Sequence, residues 1–156
     1  MSESSPIRGH QHDSLEVFQG RWTATGLSYG GTDQSGPDHK ANGENWTSTH
    51  EAQWHTGLFF LVQNEHAKIA GGAFDTLSVM GINSETRGYF ARTFDNHGFY
   101  RHYELTRDRN VWSLTGKTER ARIEFQNGDR TQIISWEWQP QANWLPLCDR
   151  QASRID

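Results

Sequence analysis

From residue 20 onward, apolar and polar side chains alternate with a period of two, the pattern of β-strands that have one buried and one exposed face. Segments of seven to ten residues repeat this alternation, with Gly, Asn, Asp or Pro between them. The pattern predicts about ten antiparallel strands joined mostly by short turns. We place the strands at residues 21–29, 46–55, 58–65, 74–82, 88–94, 98–106, 111–117, 120–126, 130–139 and 144–151.

About ten strands in one domain are expected to close into a single antiparallel up-and-down barrel. An open sheet of this size tends to curl or split, and its edges expose unpaired backbone groups that invite aggregation. Closure removes both edges. The sequence therefore predicts an all-β fold in which neighbours in sequence are neighbours in space.

The N-terminus lacks the strand pattern. Residues 1–13 are polar, so we expect a disordered tail followed by a barrel domain over residues 14–156. Asp13 or Ser14 can accept hydrogen bonds from the free amides at a helix start, which predicts a short helical turn over residues 15–18.

Composition and charge narrow the class of protein. A chain of 156 residues suits one domain, and its seven Trp, four Tyr and eight Phe predict an aromatic core. With 19 acidic and 15 basic residues, a nucleic-acid partner is not expected. No apolar run is long enough to span a membrane, and the N-terminus shows no signal segment. We therefore expect a soluble cytoplasmic protein with no membrane partner.

Residues 15–22 and several later segments resemble known protein families. Gly20 and Trp22 form the Gly-x-Trp pattern that follows a short helical turn in calycin barrels, the superfamily of lipocalins and fatty-acid-binding proteins. Over about residues 15–154, the chain also resembles an uncharacterised bacterial lipocalin-like family, a domain of unknown function. The matching segments are residues 51–54, 57–62, 79–82, 94–98, 136–137 and Trp144.

This resemblance implies which end of the barrel is closed and which is open. In calycins, the Trp of the Gly-x-Trp pattern plugs one end beneath an Arg from the end of the chain. Trp22, preceded by Gly20, matches the plug, and Arg150 or Arg154 fits the second role. Residues 30–45 match the position of a lipocalin lid loop at the open end. The resemblance implies no activity, because the family has none that is settled.

Alternation also predicts which side chains line the barrel, because every second residue of a barrel strand points inward. We place the more apolar face of each strand inside. On the strand at residues 98–106, this face carries Arg101 and Tyr103 among apolar residues. The predicted ligand-binding residues are His50, Trp54, Phe99, Arg101, Tyr103, Trp112 and Trp136.

These residues favour the binding of one small apolar or aromatic molecule in the lumen. A buried guanidinium is costly without a counter-charge, so Arg101 requires a carboxylate from the protein or from a ligand. The spacing Arg101-x-Tyr103 resembles the carboxylate clamp of fatty-acid-binding proteins. A carboxylic acid held by these two residues is therefore one candidate ligand.

Three other functions remain open, and so does the question whether the protein is an enzyme. The first is a lipocalin-like isomerase, cyclase or lyase that moves protons through His50, or through His102 with Glu104. The second is a haem-binding or gas-binding barrel ligated by one His. The third is a barrel plugged by its own Trp side chains that forms a homodimeric scaffold.

We expect no metal site and, with haem as the one alternative, no cofactor. His50 and His55 are five residues apart and would lie on opposite faces of a strand, whereas the zinc motif His-Glu-x-x-His needs four residues on a helix. Cys148 is the only cysteine, so neither an intrachain disulfide nor a Cys-based metal site is expected. The expected partner is a small molecule.

Overall fold

Residues 4–155 of the protein, described by a computed structural model, contain a closed antiparallel barrel of ten strands. Residues 1–3 of the predicted tail, and Asp156, lie outside the described residues. The predicted all-β fold and its strand number are confirmed. The strands are β1 (Gly20–Ser28), β2 (Glu44–Trp54), β3 (Leu61–Ile69), β4 (Gly72–Ile82), β5 (Tyr89–Asp95), β6 (Tyr100–Asp108), β7 (Val111–Thr115), β8 (Glu119–Gln126), β9 (Thr131–Trp138) and β10 (Leu145–Arg154).

Consecutive strands pair with one another, and β1 closes the barrel by pairing with both β2 and β10. Burial follows the predicted alternation. On β2, for example, Trp46, His50 and Ala52 are buried, and the residues between them on the other face are exposed. The register sets Trp22 opposite His50 on one side and opposite Arg154 on the other. Because the sheet closes, neither β1 nor β10 has a free edge.

A short helix, α1 (His10–Leu15), continues into a 3₁₀ turn at Glu16–Phe18 and precedes β1. The helix begins before the predicted cap at Asp13 or Ser14. Residues 10–13, which we expected to belong to a disordered tail, are therefore helical. No helix within residues 4–155 is both long enough and apolar enough to cross a membrane.

Side chains just before and within α1 hold this segment against the strand connections. Nε of Arg8 donates to the backbone oxygen of Leu58 at 2.9 Å. Nε2 of Gln11 donates to the backbone oxygen of Arg87 at 2.7 Å. These long-range hydrogen bonds explain why a polar segment is ordered here, since composition alone does not reveal such anchors.

Large side chains fill the end of the barrel beneath α1. Phe18 packs edge-on against Trp112 and Phe125, with ring centroids 5.1 Å apart in both pairs. Nε1 of Trp22 donates to the backbone oxygen of Phe18 at 3.2 Å. Trp22 and Leu15 are completely buried. This end is therefore closed by aromatic packing.

The long connection over residues 29–43 lies at the opposite end of the barrel and packs along β10. Nε2 of Gln34 donates to the backbone oxygen of Pro146 at 2.7 Å. Nζ of Lys40 pairs with Oδ2 of Asp149 at 2.7 Å. The connection therefore lies beside the open end, the position that the resemblance to lipocalins implies for residues 30–45.

Candidate functional site

A cavity of about 410 Å³ lies inside the barrel above the closed end. Phe18 contributes to its lining from below, and Trp46 and Phe74 line it near the open end. Strands β4 to β8 supply an apolar wall. The side chains of this wall include Met80, Ala91, Leu105, Leu114 and Ile123. The lumen is thus not filled by the protein's own tryptophans, contrary to the plugged-barrel alternative.

The opposite wall carries a buried charged cluster made by β2, β3 and β10. Nη1 of Arg150 and Oγ of Ser48 both donate to Oε2 of Glu65, at 2.8 and 3.0 Å. Nδ1 of His50 is 3.7 Å from the same oxygen. The side chains of Arg150 and Glu65 are only 9% and 10% exposed. Each charge is therefore removed from water and depends on the other for compensation.

His50 is held as a neutral imidazole in this cluster. Its ring lies nearly parallel to that of Trp22, with centroids 6.0 Å apart. The pKa of His50 is lowered from 6.5 to about 4, mainly by burial and to a smaller extent by Arg150, and the Glu65 carboxylate opposes this shift. Near neutral pH, one ring nitrogen therefore carries a proton and the other is an acceptor.

The lowered pKa of His50 predicts a loss of stability in mild acid. The unfolded chain takes up a proton at this residue near pH 6.5, whereas the folded protein does so only near pH 4. Stability is therefore lost as pH falls through this window, by about 2–3 kcal/mol between roughly pH 7 and pH 4.5. Urea unfolding of the wild type and of His50→Asn at both pH values measures the difference.

His55→Asn is the matched control for this prediction, because His55 is exposed immediately after the same strand. We expect it to keep the acid sensitivity of the wild type, whereas His50→Asn should lose about 2–3 kcal/mol of that sensitivity. Equal pH dependence in all three proteins would contradict a neutral buried His50.

Several buried polar atoms on residues that line the cavity have no hydrogen-bond partner in the protein. Within residues 4–155, the buried side-chain nitrogen or oxygen atoms without a hydrogen-bond partner are Nε1 of Trp46, both ring nitrogens of His50, Nε2 of Gln132 and Nε of Arg150. All four residues line the cavity. An unsatisfied buried polar group costs about 1–3 kcal/mol. Unused hydrogen-bonding capacity is therefore concentrated in the lumen.

A second charged cluster lies near the open end. Nη1 of Arg101 is 3.2 Å from Oδ2 of Asp95, and Nε of Arg101 is 3.2 Å from Oε1 of Glu119. The hydroxyl of Tyr103 donates to Oε2 of Glu119 at 2.9 Å. Burial and the Glu119 carboxylate both raise the pKa of Tyr103, so the hydroxyl keeps its proton.

The predicted inward face of β6 is observed, but its two polar residues are already paired. Arg101 and Tyr103 line the cavity, whereas the residues between them on the other face are exposed. The carboxylate that Arg101 requires comes from the protein, through Asp95 and Glu119. These two residues therefore do not form an open clamp for the carboxylate of a ligand.

Of the seven predicted ligand-binding residues, four line the cavity, and their positions agree with the predicted inward faces. His50 lies on the polar wall, and Arg101 lies near the open end. The rings of Tyr103 and Trp136 pack edge to face, with centroids 5.3 Å apart.

The other three predicted residues, Trp54, Phe99 and Trp112, lie outside the cavity lining. Nε1 of Trp54, the last residue of β2, donates to Oε2 of Glu16 at 2.5 Å. Phe99 precedes β6, is 57% exposed and lies beneath the guanidinium of Arg101. Trp112 is buried in the closed end. Alternation indicates which face of a strand a residue occupies, but not how far along the barrel it lies.

Arg154, rather than Arg150, lies over the plug residue Trp22. Its guanidinium carbon is 4.2 Å from the centroid of the Trp22 ring, and its Nη2 donates to the backbone oxygen of Val17 at 3.2 Å. Gly20 has a φ of 120°, and a Cβ there would collide with Arg154. Arg150 lies four residues earlier on β10, where the register places it opposite Gly26 in the lumen wall.

Of the residues considered for acid–base chemistry, His50 lines the cavity, whereas His102 and Glu104 lie on the outer surface. Tyr100, His102 and Glu104 are exposed on the face of β6 that points away from the cavity. Tyr100 forms an exposed apolar row on the outer surface with Phe94 and Leu77, its register neighbours on β5 and β4.

The homodimer suggested from the sequence stays a prediction.

Sequence reasoning did not identify Glu65, Glu119 or Asp95 as site residues. One signal was available for Glu65, which shares a face of β3 with Leu61 and Ala67, both buried. A lone carboxylate on an apolar face implies a buried partner. No comparable signal identified that partner, because Arg150 is 85 residues away along the chain.

Comparison with known proteins finds similarity in fold only. No protein-family model and no curated protein matches the chain. A designed barrel, described as a de novo fluorescence-activating beta barrel, is 11% identical, with a TM-score of 0.50 over 92% of this chain and 98% of that one. The S-type phycobiliprotein lyase CPES from Guillardia theta is 11% identical, with a TM-score of 0.55 over 96% of this chain and 94% of that one. The chain thus shares its barrel architecture with both proteins.

Proposed function

We propose that this protein binds one small, largely apolar or aromatic molecule inside the barrel. The observation that carries the proposal is the cavity of about 410 Å³, which has an apolar wall on one side and unpartnered N–H groups on the other. Apolar burial supplies affinity at about 25 cal/mol per Å², and a few polar groups fix the orientation.

The two structural neighbours support a lumen function by analogy of fold. One is a de novo designed fluorescence-activating barrel, and the other is an S-type phycobiliprotein lyase. A barrel interior with a cavity is a suitable chamber for a small molecule. The shared architecture is consistent with a small ligand in the lumen.

The charge of the lumen argues against a carboxylic acid. Two guanidinium groups, Arg101 and Arg150, face three carboxylates, Glu65, Asp95 and Glu119, and His50 is neutral. An anion entering this chamber would meet an excess of negative charge in surroundings of low dielectric constant. The proposed ligand therefore carries no negative charge.

A lumen-filling substitution tests the proposal with Nile red, a neutral aromatic dye whose emission moves to shorter wavelength in apolar surroundings. The wild type is expected to bind the dye and shift its emission. Ala91→Phe should weaken binding at least tenfold, about 1.4 kcal/mol, because Ala91 lines the cavity at 2% exposure and a phenyl ring would occupy the ligand's space. Fluorescence titration measures both affinities.

Ala73→Phe is the matched control, since Ala73 is exposed and lies outside the cavity lining. It should bind Nile red as the wild type does, which separates lumen binding from adhesion to the barrel surface. Binding that is unchanged in Ala91→Phe, or absent from the wild type, would contradict the proposed function.

A further inference from the structure

The unpartnered N–H groups of the lumen lie on one wall. Trp46 is on β2, Gln132 on β9 and Arg150 on β10, and β1 runs between β2 and β10. We propose, building on the lumen function above, that the ligand is an uncharged aromatic molecule with a carbonyl-type oxygen, and that this oxygen accepts hydrogen bonds from the donor wall. The donor wall is defined as Trp46, His50, Gln132 and Arg150.

The strand register brings these donors together across small side chains. Trp46, Gly26 and Arg150 form one row across β2, β1 and β10, and the guanidinium carbon of Arg150 is 4.4 Å from the centroid of the Trp46 ring. In the next row, Gln132 follows Ala152 and Ala24. Because β1 and β10 place Gly or Ala between the donors, no large side chain of these two strands separates them.

Burial makes these donors costly to leave unused. Trp46 and His50 are each 6% exposed and Gln132 is 3% exposed, so bulk water has little access to them. Nε of Arg150 is unpartnered even though Nη1 of the same group is bonded to Glu65. A ligand oxygen that accepts from two such donors restores hydrogen bonds whose absence costs about 1–3 kcal/mol each.

The neighbouring charges favour a neutral acceptor over an anion. The charge of Arg150 is compensated by Glu65, so a ligand carboxylate near Nε would also lie close to the Glu65 carboxylate. A ketone, lactam or quinone oxygen accepts hydrogen bonds without adding a negative charge.

A pair of rigid probes of nearly equal size, fluorenone and fluorene, tests the inference. They differ by one carbonyl oxygen, and each is titrated against bound Nile red in a displacement assay. We expect fluorenone to bind at least about tenfold more tightly than fluorene. The carbonyl stretch of bound fluorenone should also lie at lower frequency in the infrared than it does in a hydrocarbon solvent, which reports hydrogen bonding directly.

Conservative variants connect this preference to the donor wall. Gln132→Met and Trp46→Phe each remove one N–H and preserve most of the side-chain volume, and each should bring the affinity ratio of fluorenone to fluorene towards one. Gln151→Met is the matched control, because Gln151 is exposed on the outer face of β10, and it should keep the full ratio. If one of the two variants fails to fold, the other still tests the inference.

The outcomes separate this inference from the proposed function. If Nile red binds and Ala91→Phe abolishes its binding, but fluorenone and fluorene displace it equally or not at all, the carbonyl inference is overturned and lumen binding stands. If the wild type binds neither Nile red nor the probes, both proposals fail. Tighter binding of fluorene carboxylate than of fluorenone would overturn the neutral-acceptor assignment.

Discussion

Replacing Arg150 by methionine is expected to destabilise the protein by about 3–5 kcal/mol, because the substitution leaves a buried carboxylate without its cation. Glu65 is 8% exposed, and its Oε2 accepts hydrogen bonds from Nη1 of Arg150 and Oγ of Ser48. Removing the guanidinium leaves the hydroxyl of Ser48 as the remaining donor to that oxygen. Urea unfolding, followed by tryptophan fluorescence, gives the difference in the free energy of unfolding.

Two comparisons decide whether the loss comes from the unpaired charge. Arg122→Met removes an exposed Arg that pairs with Glu124 at 3.2 Å, and it should cost less than about 1 kcal/mol. The double variant Arg150→Met/Glu65→Gln should recover most of the loss, because it also removes the orphaned carboxylate. If Arg150→Met is no less stable than Arg122→Met, the result would contradict the importance of the Arg150–Glu65 pair.

The same pair shows why the donor wall is not explained by stability alone. Taking two charges out of water is expensive, and well-packed apolar residues of similar volume often replace a buried ion pair at no cost in stability. The Arg150–Glu65 pair also leaves Nε of Arg150 unpartnered beside the cavity. An arrangement that adds an unsatisfied donor to a costly ion pair is better explained by ligand binding than by folding.

Most of the fold could be predicted because each strand has one buried face. On β8, Ala121 and Phe125 are buried and Arg122 is exposed, so the period of two is plain in the sequence. The start of β3 could not be placed in the same way. Leu58, predicted to be in the strand, has a φ of 63° and donates its N–H to the oxygen of His55 at 2.9 Å, which makes it part of a turn.

The site could be predicted only in part, because it depends on register between strands that are distant in sequence. The inward direction of His50 and Tyr103 follows from local alternation, and both line the cavity. The pairing of Arg101 with Asp95 and Glu119 depends on how two connections, residues 96–99 and 116–118, end at the same rim of the barrel. Local patterns carry no information on that geometry, so the apparent carboxylate clamp could not be distinguished from a satisfied ion pair.

The second large effect is expected at the closed end, where Trp22→Ala should destabilise the protein by about 3–5 kcal/mol. Trp22 is fully buried, donates to the backbone oxygen of Phe18 at 3.2 Å and stacks against His50. Its removal leaves a cavity that the closed strands cannot collapse to fill, and it also takes away the ring beneath Arg154. Thermal and urea unfolding measure the loss.

Trp144→Ala provides the comparison, because Trp144 also lies beneath an Arg, with the guanidinium carbon of Arg120 4.1 Å from its ring centroid. Trp144 is in the connection before β10 at the open end and is only partly buried, so its loss should cost less than half as much. If the two variants lose equal stability, the contact with Arg is what matters in both. If Trp22→Ala alone is severe, the stabilisation comes from filling the closed end of the barrel.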